Sequence, residues 1–205
     1  MQYSILLNTL KAAHFCSATK DVRYYLESVY LDFKLQAANP YVNVVATDGH
    51  LLAAFRDPVQ EIYDPSEDFN ILIPLDTIKT LIKMTDKKQK SVCLEKLDDY
   101  YSWRIGDLNF EAIDGKFPDY KRVIPGSNDR NSDNGAPRLD PVLVSKAEKS
   151  LCTRLNHKAN YRSIGTMSYG PTKNDSAVLH SGDDTGVIVI MPMRAEDKTY
   201  FGFTA

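Results

Sequence analysis

Three times along the chain, a stretch with helical spacing of its apolar residues is followed by runs rich in Val, Ile, Tyr and Phe. The helix-like stretches are 5–20, 75–90 and 140–158. In the second stretch, Leu75, Ile78 and Leu81 recur at the spacing that places them on one side of a helix. The runs that follow have the β-branched and aromatic composition of strands. A single small unit of this kind cannot bury its apolar faces, so the repeat predicts units that pack against one another.

Two segments dense in Pro, Asp, Asn and Gly interrupt this pattern, at 56–68 and 126–137. Such a composition is typical of turns and connectors. We therefore predict an α+β fold made of repeats, each with one helix plus a small antiparallel sheet. The predicted organisation is a two-unit domain at 1–125, a linker at 126–137, and a one-unit domain with a C-terminal tail at 138–205.

The composition argues against several classes of protein. No run approaches the roughly 20 apolar residues of a membrane-spanning helix. The N-terminus has neither the basic start nor the long apolar stretch of a signal peptide. These features predict a cytoplasmic protein. Cys16, Cys93 and Cys152 are far apart and form no CxxC pair, which argues against a disulfide framework and against a zinc site.

The sequence contains no recognisable catalytic motif. It has neither a P-loop nor a GxGxxG run, and its four histidines show no metal-ligand spacing. Asp48 and His50 lie near Thr47, but no nucleophile or oxyanion partner accompanies them. We therefore expect a binding protein that has no catalytic site, cofactor or metal of its own. An active site assembled from distant segments stays open as the alternative.

Charge is distributed unevenly between the helix-like stretches and the remaining chain. The three stretches contain eleven Lys and Arg against four Asp and Glu, although the whole chain has a net charge of −2. Lysines without interleaved aromatic residues suit phosphate contacts that are independent of base sequence and weaken with salt. A basic helix face that is simply solvated is the alternative. The residues predicted to contact DNA are Lys11, Lys20, Lys79, Lys83, Lys87, Lys90, Lys146, Lys149 and Arg154.

Three parts of the sequence together resemble the bacterial DNA polymerase III beta subunit, the beta sliding clamp family. They are DVRYYL (21–26) with VATDGHLLA (45–53), DGKFPDYKRVIP (114–125) and VIVIMPMR (187–194). The resemblance covers the family's middle domain and half of its last domain, and it does not include the first domain. It implies paired helix-and-sheet units, with helices on the basic inner wall of a ring and sheets on the outside.

In this family the matched segments line one pocket, which accepts short peptides of polymerases, the clamp loader and repair proteins. These peptides typically begin with Gln and end in Leu and Phe. The resemblance implies a peptide-binding groove formed here by Leu26, Thr47, Gly49, His50, Leu51, Leu52, Pro118, Arg122, Val123, Val189, Met191, Pro192, Met193 and Arg194. Without the resemblance, 48–50 is also typical of a hairpin turn, and 191–193 of a buried strand end.

The chain departs from the family pattern at several places. Leu51 stands where the family often has Arg, and the last domain has one unit instead of two. The strand expected before the first helix is nearly missing. Residues 195–205 continue beyond the usual end of the family. This tail could add a strand, or it could place Phe201 and Phe203 in the groove as an internal mimic of a peptide.

Two functional hypotheses follow from the resemblance. In the first, chains assemble into a ring that encircles DNA and tethers a polymerase to it, as a processivity factor. Family rings contain twelve units, which four chains of three units would supply. In the second, a monomer or dimer acts as a decoy or adaptor that occupies clamp-binding peptides without binding DNA. The sequence leaves both open.

Overall fold

The computed structural model describes residues 2–59, 67–86, 88–97, 102–126, 137–157, 165–170, 172 and 174–193. This part of the chain forms three α-helices and eleven strands. The helices are α1 (Leu7–Ala13), α2 (Leu75–Met84) and α3 (Pro141–Arg154). The strands are β1 (Gln2–Leu6), β2 (Ser28–Lys34), β3 (Tyr41–Thr47), β4 (Leu51–Pro58), β5 (Phe69–Pro74), β6 (Ser91–Lys96), β7 (Ser102–Ile105), β8 (Leu108–Glu111), β9 (Gly165–Tyr169), β10 (Ala177–Ser181) and β11 (Gly186–Ile190). The predicted α+β class with antiparallel sheets is confirmed.

Local sequence explains the start of α3, whereas a contact with the next strand accompanies the early end of α1. The Asp140 carboxylate accepts a hydrogen bond from the Val142 N–H at 2.8 Å, so Asp140 is the N-cap that the sequence predicts. α1 ends at Ala13, earlier than the predicted stretch 5–20. Beyond α1, the Ser17 hydroxyl donates to the Ser28 carbonyl at 3.0 Å, which ties the chain to β2. None of the helices in the described ranges is long and apolar enough to span a bilayer.

The first two units exchange the strands that precede their helices. β1 precedes α1 but pairs with β6, the first strand after α2. β5 precedes α2 but pairs with β2, the first strand after α1. The expectation that the strand before the first helix is nearly missing was therefore wrong. β1 alternates the buried side chains of Tyr3 and Ile5 with exposed neighbours, the pattern of a strand with one buried face.

These strands form two antiparallel sheets. The smaller sheet has the order β1-β6-β7-β8, and the larger has the order β5-β2-β3-β4-β11-β10-β9. The larger sheet runs across the 126–137 segment because β11 pairs with β4, with Val189 opposite Leu52 and Ile190 opposite Leu51. One sheet therefore joins the two predicted domains, whose boundary at 126–137 stays a prediction.

The larger sheet carries apolar clusters on both faces. The helix-side face holds the main core, where Phe33 and Phe55 of the sheet share one cluster with Leu10, Ile78 and Leu151 of the three helices. The opposite side of the sheet is called the outer face here. It carries the outer-face cluster, which consists of Ala18, Leu26, Val45, Leu52, Leu72, Phe117, Tyr120, Val178 and Val189.

Polar contacts also hold the third unit against the first. The Ser150 hydroxyl of α3 donates to the Ala12 carbonyl of α1 at 2.8 Å. Arg154 forms an ion pair with Asp57 of β4, with Nη2 and Oδ1 2.8 Å apart and side chains only 11% and 1% exposed. The same nitrogen donates to Thr185 Oγ1 at 3.1 Å. One guanidinium thus joins α3, β4 and the turn before β11.

Candidate peptide-binding groove and basic helix face

The floor of the candidate groove is the outer-face cluster. Leu26, Leu52 and Val189 belong to this cluster and are 1%, 5% and 1% exposed. Leu52 and Val189 are direct neighbours across the β4–β11 junction. On β3, the predicted groove residue Thr47 lies opposite Leu52. The fold therefore brings together four predicted residues from three separate parts of the sequence.

Exposed apolar side chains lie on segments that adjoin this floor. Met191 and Met193 follow β11 and are 42% and 51% exposed, and Val123 is 40% exposed. The Met191 N–H donates to the His50 carbonyl at 2.9 Å, which joins the end of β11 to the β3–β4 turn. Ile124, next to Val123, packs against the outer-face cluster. The remaining predicted rim residues are exposed or half-buried: Gly49, Pro118, Arg122 and Pro192.

The conformation of the turn between β3 and β4 depends on the Asp and the Gly at positions 48 and 49. The Asp48 carboxylate accepts hydrogen bonds from the N–H groups of His50 and Leu51, at 2.9 and 2.8 Å. Gly49 has a φ of 91°, and a Cβ there would lie 3.0 Å from Nη2 of Arg23. The segment is a hairpin turn, as one interpretation of the sequence expected, and it also lies beside the end of β11.

Arg23 is a residue beside this turn that sequence reasoning missed. Asp21 holds its guanidinium in a two-point contact, with Nε–Oδ1 and Nη2–Oδ2 distances of 3.0 and 2.7 Å. These hydrogen bonds lower the pKa of Asp21 to about 2. Arg23 Nη2 also lies 3.4 Å from the Asp48 carbonyl oxygen. The contact holds an ion-paired guanidinium next to the β3–β4 turn, and the available sequence signal was the D-x-R spacing within DVRYYL.

The segment 113–124 crosses the outer face and forms a wall of the candidate groove. At its start, the Ile113 N–H donates to the Leu72 carbonyl of β5 at 3.0 Å. Further along, the Phe117 ring stacks on Tyr30 of β2, with ring centres 4.6 Å apart and planes within 2°. These contacts hold Pro118, Arg122 and Val123 on a segment that is packed against the sheet.

A buried polar network anchors the same segment. The Tyr120 hydroxyl donates to Asp32 Oδ2 at 2.9 Å and accepts from Asn43 Nδ2 at 3.0 Å. Asp32 and Asn43 are each 6% exposed. Burial first, and then the Asp32 carboxylate, raise the pKa of Tyr120 above its usual value, so the hydroxyl stays protonated. Sequence reasoning missed these residues because no short-range pattern links them.

The side chain of Leu51 lies on the other side of the sheet from the candidate groove. Successive side chains of a strand alternate between faces, so Leu52 faces outward while Leu51 enters the helix-side core, where it is 1% exposed. A peptide on the outer face would not meet the Leu51 side chain, which corrects its assignment. Arg194 lies outside the described residues, and so does the tail 195–205.

Several lysines lie on the helix side of the molecule. The predicted DNA-contacting residues on helices, all half-buried or exposed, are Lys11, Lys79, Lys83, Lys146 and Lys149. His14 lies in the 3₁₀ turn after α1. Burial lowers its pKa most, and Lys149 of α3 and Lys79 of α2 lower it further. Lysines of α2 and α3 therefore lie near the end of α1.

Other predicted DNA contacts lie in different surroundings. Arg154 forms the buried ion pair with Asp57, so its guanidinium is not exposed to DNA. This corrects its assignment as a DNA contact. Lys20 lies beyond α1 in a loop, with a φ of 58°, and Lys90 lies in the connection between α2 and β6, so neither is on a helix. Lys87 lies outside the described residues.

The described residues contain no group of three or more His, Cys, Asp or Glu side chains placed to hold a metal ion. Cys16, Cys93 and Cys152 are free thiols. Burial raises the pKa of Cys16 to about 12, so this thiol stays protonated and unreactive at neutral pH.

The fold is that of the sliding clamps. The structure of a Caulobacter crescentus beta sliding clamp matches 95% of this chain and 66% of its own, with a TM-score of 0.69 and 17% identity. A sliding clamp from Pseudomonas aeruginosa, solved bound to griselimycin, matches the same shares with a TM-score of 0.65 and 21% identity. At such low identity, the likeness concerns the fold alone.

Sequence comparison defines the family. The family model for the central domain of the DNA polymerase III beta subunit matches residues 1–119. The beta sliding clamp of Caulobacter vibrioides (strain NA1000 / CB15N) is 30% identical over 158 residues, which is 73% of this chain. That of Escherichia coli (strain K12) is 30% identical over 140 residues, or 67%. The chain belongs to the DNA polymerase III beta subunit family of sliding clamps, which confirms the resemblance. The matches span 41% and 36% of these two relatives.

Proposed function

We propose that this chain acts as a clamp-like replication protein with two binding surfaces. Its outer face binds short peptides of polymerases and related factors, and its helix face contacts duplex DNA without regard to base sequence. It works in the cytoplasm and has no catalytic site of its own. The observation that supports the proposal most is one apolar floor, formed by Leu26, Leu52 and Val189, with the exposed Met191 and Met193 on the segment that follows β11.

The candidate groove has suitable chemistry for the apolar end of a peptide. Met191 and Met193 are flexible and polarizable, so they adapt to different Leu and Phe side chains. Burial of one such side chain contributes about 1.5–3 kcal/mol. Two anchors and a few backbone hydrogen bonds, less the cost of ordering the peptide, correspond to a dissociation constant of about micromolar. His50, Arg122 and Arg23 supply polar groups around the apolar floor.

The groove is tested by titrating the full chain into a fluorescent peptide that begins with Gln and ends in Leu and Phe. Met191→Ala combined with Met193→Ala should weaken binding about tenfold or more, because it removes exposed apolar contact area without opening the core. The control is Met84→Ala, the same substitution at a methionine that is 59% exposed at the end of α2. Equal affinity of the wild type and the double variant would remove the groove from the proposal.

DNA contact is tested on α2. Lys79→Glu combined with Lys83→Glu should weaken binding to duplex DNA and make its salt dependence shallower, because fewer counterions are released on binding. Lys116→Glu in the outer-face segment 113–124 makes the same charge change at one position and should leave DNA binding unchanged, whereas Lys83→Glu alone should weaken it. If the α2 variant keeps the wild-type affinity and salt slope, its lysines belong to a solvated face.

We also propose that copies of the chain assemble around DNA and that a clamp loader is a further partner. Each chain contributes three units, and the resemblance implies twelve units in a ring, so four chains would supply the number. Light scattering gives the number of chains in solution. Retention on circular but not on linear duplex DNA would support the ring. A monomer that binds the peptide but not DNA would instead indicate a decoy or adaptor.

A further inference from the structure

The first two units show how a unit of this fold is completed. β5 precedes α2 and adds to the side of β2, the first strand after α1, and β1 does the same for β6. The contact between the units is apolar, with ring centres of Tyr3, Phe33, Phe69 and Trp103 between 4.4 and 5.8 Å apart. Each of these units therefore takes its edge strand from the chain that precedes the other unit's helix.

The third unit has the corresponding parts. β9 is the first strand after α3, and among the described residues it pairs with β10 alone. The chain before α3 is placed like β5. The Arg138 carbonyl accepts from the Met193 N–H at 2.8 Å, as the Leu72 carbonyl accepts from the Ile113 N–H at 3.0 Å. Arg138 and Leu72 each stand three residues before the start of their helix.

The pattern of hydrogen bonds in the larger sheet shows which main-chain groups of β9 lie on the side away from β10, where no other described strand pairs with it. The bond from the Met191 N–H to the His50 carbonyl shows which residues of β11 face β4. By alternation across β11 and β10, the main-chain groups of Met167 and Tyr169 point away from β10. Their side chains are only half-buried, whereas Phe33 on the fully paired strand β2 is 0% exposed. β9 thus offers backbone groups and incompletely covered apolar side chains along one edge.

We propose that a second copy of this chain covers this edge, with the segment before α3 of each copy added to β9 of the other around a two-fold axis. The two contacts are then equivalent, as in any isologous interface. A second copy fits because its residues 137–140 precede a helix, as do the strands that occupy this position in the first two units. An apolar strand edge left open would also promote aggregation. This inference rests on the proposed assembly of copies and names the interface.

Sedimentation equilibrium of the full chain tests the interface. The wild type should contain an even number of chains, and Met167→Pro should halve its mass, because proline removes an N–H that points to the partner and not to β10. Met167→Leu keeps the N–H and an apolar side chain, so it should keep the wild-type mass. A wild type with the mass of one chain, or a proline variant of unchanged mass, overturns the proposal.

Amide hydrogen exchange of the wild type gives a test that does not depend on the folding of the proline variant. Exchange of the Met167 and Tyr169 N–H groups should slow as the protein concentration rises, because association covers them. The Thr166 N–H, which faces β10 in the same strand, should be protected at every concentration and serves as the control. Slow exchange at every concentration would fit a tight interface, whereas exchange at Met167 and Tyr169 as fast as that of unprotected amides at every concentration overturns the interface.

The interface and the proposed function fail separately. A monomeric wild type that still binds the Gln-Leu-Phe peptide overturns the β9 interface and leaves the groove in place. A dimer that binds neither the peptide nor duplex DNA supports the interface and overturns the proposed function.

Discussion

The Tyr120 hydroxyl ties a surface segment to the sheet that carries the candidate groove. It bonds to Asp32 and Asn43, which lie on neighbouring strands and are nearly buried. Lys34 Nζ lies 3.1 Å from the same Asp32 carboxylate, so the buried charge has both a hydroxyl donor and a counter-charge. Because a buried polar group is costly when unpaired, this network favours one position of the segment 113–124.

Tyr120→Phe should lower the free energy of unfolding by about 1–2 kcal/mol, because Asp32 and Asn43 each lose a buried partner. Urea unfolding at neutral pH measures the change. Tyr24→Phe is the control, since that side chain is 58% exposed although its hydroxyl donates to the Asp114 carbonyl at 3.0 Å. The control should lose less than about 0.5 kcal/mol. Equal losses of unfolding free energy would show that the buried network stabilises the fold no more than an exposed hydrogen bond does.

Asp57 and Arg154 form an ion pair that is buried from solvent. Burial raises the pKa of Asp57 above its usual 3.8, and the charge of Arg154 opposes that rise. A carboxyl group whose native pKa is raised stabilises the fold most below its unfolded pKa. It loses that contribution as the pH rises through the native value. The guanidinium therefore matters most at neutral pH, where Asp57 is ionised.

Arg154→Met should cost about 3–5 kcal/mol of stability at neutral pH, because it leaves a buried carboxylate without its counter-charge. Without Arg154 the pKa of Asp57 rises further, and protonation relieves the cost. The difference in unfolding free energy between the wild type and the variant should therefore become smaller as the pH falls from 7 to about 4. Urea unfolding at several pH values measures it. Asp57→Asn combined with Arg154→Met should lose less at pH 7, and a deficit independent of pH would contradict the explanation.

At the scale of elements, α3 depends on the residue that precedes it. Asp140→Ala removes the side-chain acceptor of the Val142 N–H and should cost about 1 kcal/mol. Thermal or urea unfolding measures the loss. The control is Asp76→Ala, which removes a first-turn carboxylate of α2 whose side chain is 94% exposed and whose contact with Lys79 is a surface pair. That variant should lose less than about 0.5 kcal/mol.

Local signals place some elements better than others. The start of α3 could be read from Asp140 and Pro141, and the β3–β4 turn from the Asp-Gly pair, because each depends on neighbouring residues. The end of α1 could not be read in this way. It depends partly on the bond from Ser17 to Ser28, eleven positions away on the next strand.

At the scale of the whole molecule, one sheet joins the first and third units. Five residue pairs link β4 to β11, and the contacts of Ser150 with Ala12 and of Arg154 with Asp57 lie beside this junction. The two predicted domains are therefore expected to hold together without a covalent connection.

A protease site inserted between Gly126 and Pro137 should yield two fragments that co-elute in native buffer and separate in denaturant. Size-exclusion chromatography before and after cleavage measures this. The same cleavage in the Arg154→Met variant should release the fragments more readily, because one of the buried contacts is lost. Separation of the wild-type fragments in native buffer would show that the shared sheet does not hold the units together.

The sequence by itself determined the α+β class and the three stretches that contain the helices of the described residues, and it predicted the segments of the candidate groove. These features depend on spacing within short stretches and on motifs that a family shares. Only the tertiary structure decided that β1 and β5 are exchanged, that Leu52 and not Leu51 faces the candidate groove, and that Arg154 is paired inside the protein. The physical reason is that helical and strand periods are local, whereas strand pairing and desolvation depend on residues distant in the chain.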